Sequence, residues 1–118
     1  MTLNSKHYKS TTYRVYTPDG TMFVNIMEDE NANVKGILVN IGKAGSALSA
    51  WAQATATMIT LALEYGTSLQ AVIDELKDIT SDGHARIGAV TSTRSGPEGI
   101  YSALIQFRND KRAEGVVI

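Results

Sequence analysis

The sequence predicts an α+β domain, an N-terminal antiparallel β-meander of about three strands followed by two or three helices. Three observations carry this. Residues 12–41 alternate polar and apolar with period two between turn signals, residues 46–65 form an alanine-rich run closed by a glycine, and two later segments repeat apolar residues at i, i+3, i+4 and i+7.

The first strand, Thr12 to Thr17, sets Tyr13, Val15 and Thr17 on one side and stops at Pro18-Asp19-Gly20. That tripeptide favours a tight hairpin, because Pro fixes φ and Gly accepts positive φ. The second strand, Thr21 to Glu28, aligns Met22, Val24 and Ile26, and the acidic run to Asn33 makes a looser turn. The third, Val34 to Ile41, places Ile37, Val39 and Ile41 opposite Leu38 and is expected to be the most buried. After Gly42-Lys43-Ala44-Gly45-Ser46 a helix runs to about Tyr65, with Gly66 as its stop. Seven alanines surround its seam of Leu48, Trp51, Met58, Ile59, Leu61 and Leu63. A helix apolar on most sides needs cover on most sides, from a second helix or a second subunit. Thr67 and Gln70 have the form of a capping box for a second helix carrying Leu69, Val72, Ile73 and Leu76. Residues 80–95 read as a polar loop, and Pro97 opens a third helix with Ile100, Ala103, Leu104 and Phe107, running to about Arg112.

The 118 residues suffice for one domain, 1–118, with residues 1–10 frayed. A hydrophobic share of 43% with 19% charged residues is that of a globular chain. The net charge of -1 offers no general attraction to DNA, RNA or anionic lipid. Absence of Cys excludes disulfides, thiolate metal sites and thiol chemistry. The polar start lacks a signal-peptide core, and the polar side chains within residues 44–63 argue against a membrane span, so the expected location is the cytoplasm.

Two segments have the form of an anion site at a helix start. One contains Lys43 and Ser46, although its glycines also serve simply to turn the chain. The other gathers Thr91, Ser92, Arg94, Ser95 and Gly96 before the third helix. At the far end of that helix, Arg108 and Arg112 stand four residues apart and can reach one target, or can act only as solvated cations complementing the dipole. His84 and Arg86 add potential cations in the loop. The two His residues have no metal-ligand spacing, and acids such as Asp74 and Asp78 suit a solvated helix face. No catalytic residue, metal or cofactor is assigned.

The order of the strands, "NIGKAGSALSAWAQATATMITLALEYG", "TSLQAVIDELKDI" and "TSTRSGPEGI" resembles the TSCPD module at the C-terminal end of adenosylcobalamin-dependent ribonucleotide reductases, over about Thr12 to Phe107. Where that module carries its Thr-Ser-Cys-Pro-Asp motif, this chain has Gly96 in place of Cys and Glu98 in place of Asp. The resemblance therefore comes without the family's cysteine chemistry. Size, architecture and the basic last helix are also similar to the phage Thoeris anti-defence family, whose members bind cyclic ADP-ribose isomers and cyclic oligonucleotides without cleaving them. The resemblance implies a non-enzymatic sponge for a small cyclic nucleotide, in the bacterial cytosol, with Arg108 and Arg112 as phosphate contacts and the residue 91–96 loop as donor. A ligand of this size needs roughly 300–1,000 Å³, more easily found between subunits of a homo-oligomer, dimer or higher, than inside so small a domain. The alternative is a detached reductase-like accessory module that binds a protein partner or a nucleotide.

Overall fold

The computed structural model describes residues 8–42, 45–77, 79 and 96–116. Three strands, β1 (Lys9–Thr17), β2 (Gly20–Glu28) and β3 (Val34–Ile41), are followed by α1 (Ala47–Glu64), α2 (Leu69–Leu76) and α3 (Gly96–Ala113). The strands form an antiparallel sheet in the order β1-β2-β3. The α+β meander is as the sequence predicts.

Two expectations change. The sheet starts at Lys9, which pairs with Glu28, so Lys9 and Ser10 belong to β1 rather than to a frayed end. The most buried strand is β2, the middle one of the meander, rather than β3: Val24 and Ile26 are fully buried, while Val39 and Ile41 keep a little exposure. Both strands show the same alternation, and alternation records which face is buried, not how deeply.

On the inner face Val15, Met22, Val24, Ile37 and Val39 meet Ile100, Leu104 and Phe107 of α3 in one core. α3 packs against β1 and β2, and α2 packs against α3. Close approach of α3 is permitted by Gly99, where a Cβ would lie 2.9 Å from Thr17 Cγ2 and 3.2 Å from Met22 Sδ. α1 packs against β3. Its buried residues are Ser49, Ala52, Ala56, Ile59 and Thr60, mostly small, so the helix lies close to the strand. Thr60 Oγ1 accepts from the Ile37 N–H at 3.1 Å, and its one proton is shared between the carbonyls of Ala56 at 2.8 Å and Ile37 at 3.2 Å. Ile37 is thereby satisfied on the side of β3 that has no strand neighbour. The expected seam is only partly covered: Ile59 is buried, while Trp51 and Met58 are 74% and 59% exposed.

α2 is capped by Ser68, whose hydroxyl accepts from the Ala71 N–H at 3.1 Å, one residue later than the capping box Thr67/Gln70 would place it. Gln70 is engaged elsewhere: its Nε2 donates to Asp74 Oδ1 and its Oε1 accepts from Arg108.

Replacing Thr60 by Val removes the hydroxyl at nearly constant volume and strands the buried Ile37 groups. The expected loss is about 1–3 kcal/mol, read as a lower urea midpoint, with Thr60→Ser retaining most of the stability. Gly99→Ala gains about 1 kcal/mol of helix propensity but overpacks against a β-branched Thr, at about 1–3 kcal/mol. A lowered melting temperature is the expected net result.

Candidate functional site

Arg108 is the predicted site residue that the fold positions most definitely. It leaves α3 toward the start of α2, where Nη1 donates to Gln70 Oε1 at 2.8 Å and Nη2 to Asn109 Oδ1 at 3.4 Å. Nε is buried without a partner. Both acceptors are neutral amides, so the guanidinium is oriented, yet among the described residues no carboxylate pairs with its charge. Gln70 also lines a mixed hollow of about 370 Å³ at the start of α2, where the polar Asn33, Lys35, Thr67 and Ser68 stand beside the apolar Val34, Leu63 and Leu69. The first N–H groups of a helix lack intrahelical partners and favour negative charge. Lys35, whose Nζ is 3.7 Å from Asp29 Oδ2, is the cation in the wall of the hollow.

The remaining predicted residues divide by position. Arg112 is exposed one turn beyond Arg108. Ser46 is the N-cap of α1, its hydroxyl accepting from the Ser49 N–H at 3.1 Å. Gly42 and Gly45 have φ of 71° and 82°, as turning the chain into α1 requires. Gly96 begins α3 beside the β1–β2 turn, with Asp19 Oδ2 about 4.0 Å from where its Cβ would stand. With Glu98 in the first turn, two carboxylates stand near that helix start, the sign the dipole favours there. Lys43, His84, Arg86, Thr91, Ser92, Arg94 and Ser95 lie outside the described residues.

Lys111, next to these arginines in sequence, has a structural task. Its Nζ is 2.7 Å from Glu28 Oε1, the two side chains being 8% and 3% exposed, and it lies over the Phe107 ring. Beside it the Tyr13 hydroxyl donates to Asp110 Oδ2 at 2.8 Å. The Glu28 carboxylate holds the Lys111 ammonium above its ordinary range, outweighing burial, and burial followed by the Asp110 hydrogen bond raises the Tyr13 hydroxyl. In both cases the folded state keeps the proton longer, so stability is full below about pH 10 and declines above it as the unfolded chain deprotonates first. Denaturant midpoints measured from pH 8 to 11 are expected to fall, and Tyr13→Phe to flatten the decline.

Sequence reasoning did not find Lys35 or the second role of Gln70, since both depend on neighbours distant along the chain. A second hollow, apolar and about 640 Å³, runs between α1 and α2 with Trp51, Met58 and Leu76 in its walls. Among the described residues no group of His, Asp or Glu could hold a metal ion. Among the same residues no helix is long and apolar enough to cross a membrane.

A family model described as the TSCPD domain matches residues 2–108. Neither the curated proteins nor the solved structures contain a match.

Proposed function

Because the chain belongs to the TSCPD domain family, we propose a function of that fold without its cysteine: it binds a small cyclic nucleotide signal and holds it uncleaved. The ligand class is a cyclic ADP-ribose isomer or a cyclic oligonucleotide, and sequestering it inhibits bacterial anti-phage defence. The observation that supports the reading is Arg108, a half-buried guanidinium oriented by two amide oxygens, with a buried Nε unpaired. Buried polar groups are nearly always partnered, and Arg is the side chain suited to forked contact with phosphate. A ligand phosphate at the start of α2 completes the set, with a modest adjustment exposing Nε, while Lys35 adds charge from the wall of the hollow and Arg112 from the next turn of α3.

The site works by binding alone. No nucleophile, metal or general base takes part in it, and the ligand leaves as it entered. The assembly is a homo-oligomer in the cytosol. The family's association with ribonucleotide reductases supports a second reading, an accessory module for a large protein partner, which differs in what copurifies.

Titration calorimetry against a panel of cyclic ADP-ribose isomers and cyclic di- and trinucleotides tests the proposal, with ligand recovered after heat denaturation expected intact. Removing one charge-assisted contact costs about 1.5–3 kcal/mol, so Arg108→Ala is expected to weaken binding roughly ten- to hundredfold. The same variant loses its tie to α2, so Arg108→Lys, which keeps the charge but not the fork, serves as the control and is expected to be intermediate. An Arg108→Ala protein that folds and binds with unchanged affinity overturns the assignment.

A further inference from the structure

The outer side of α1 is unusual for a helix facing solvent. Between residues 47 and 63 it carries no charged side chain, whereas exposed helix faces are ordinarily charged and interface centres are depleted of charge. Three of the large exposed apolar residues lie on it, Trp51 (74%), Met58 (59%) and Tyr65 (83%), the last being its C-cap. They are seven residues apart, so successive ones drift only about 20° around the axis and form a stripe. Ala52, Ala56 and Thr60, which face β3, lie on the other side of the helix.

The stripe reads the same in both directions. Trp51, Ala54, Met58, Ala62 and Tyr65 are spaced 3, 4, 4 and 3 residues, large alternating with small about Met58. We propose that this stripe is the contact surface for a second copy of the chain, the two α1 helices packing antiparallel about a twofold axis at Met58. Met58 then meets the partner's Met58, Ala54 the partner's Ala62, and Trp51 the partner's Tyr65. A twofold contact demands such self-complementarity, and the alanines let the axes approach. Between residues 47 and 63 α1 brings no charge to the contact, and the two helix dipoles run antiparallel.

The area is adequate. At roughly 150–250 Å² per aromatic side chain, Trp51 and Tyr65 contribute roughly 250–400 Å² from each copy. Met58, the alanines and the α2 wall of the apolar hollow extend the patch toward the about 800 Å² per partner of a standard interface. The pairing supplies the oligomer that the proposed function includes, but it uses none of the residues assigned to the nucleotide.

Light scattering of the full chain at micromolar concentration is expected to give twice the chain mass, and Met58→Glu, which sets two carboxylates across the axis, the single mass with an unchanged circular dichroism spectrum. A chain without Cys allows the register to be read. With a short thiol-to-thiol crosslinker, Met58→Cys is expected to link to itself, and Trp51→Cys to link only when mixed with Tyr65→Cys. A monomeric native chain, a folded Met58→Glu protein that keeps the double mass, or self-linking of Trp51→Cys overturns the pairing. Nucleotide affinity retained in a monomeric native chain overturns this pairing and the oligomer but not the nucleotide assignment, and loss of affinity in a dimeric Arg108→Ala protein leaves the pairing intact.

Discussion

One hydroxyl decides where the first helix can lie. Thr60 reaches the N–H and C=O of Ile37 from within α1, and both groups point away from β2. An edge strand with open backbone groups invites pairing with another strand; here the helix closes that position instead. Contact at this distance requires a small-residue face, and Ser49, Ala52 and Ala56 supply it. Once that face is committed to β3, the larger side chains of α1 are turned outward, into the groove beside α2. The exposed tryptophan is thus a geometric consequence of a buried threonine.

The other side of the domain is fixed by a different means. Lys111 and Glu28 form a buried pair, and Tyr13 and Asp110 a hydrogen bond next to it, so the end of α3 is held to β1 and β2 by polar contacts within an apolar setting. Breaking such a pair by removing one partner leaves a buried charge, which costs more than the pair contributes. Gly99 sets the height of the same helix above the sheet. Arg108 is positioned between these two constraints, and its direction toward α2 follows from where α3 is anchored.

The meander was legible because each strand alternates and because Pro18-Asp19-Gly20 marks its turn. The deeper burial of β2 was not, since Met22-Val24-Ile26 and Ile37-Val39-Ile41 are equivalent as patterns. The α2 cap falls on Ser68 rather than Thr67, and Gln70, the partner a capping box at Thr67 requires, is held instead by Asp74 on its own helix and by Arg108 from α3. Arg108 was recognisable as a phosphate-type side chain, but its partner lies 38 residues away. Lys111 carries the same charge as its neighbours in sequence, and its buried place comes from Glu28 across the core. Local propensity reads elements; the role of a charge depends on what folding brings beside it.

The hydrogen bond from Tyr13 to Asp110 joins residues 97 positions apart. Hairpin pairing of β1 with β2 and of β2 with β3 is local by comparison, and loop-closure entropy favours it first. During synthesis the sheet can therefore form with Met22, Val24 and Ile26 uncovered, waiting for Leu104 and Phe107 to leave the ribosome. For that interval its inner face is an aggregation hazard, and at about 5–20 residues per second the interval lasts several seconds. The late helix that carries Arg108 is thus also the part that completes the core, so the proposed ligand site and the finished fold arrive in the same step.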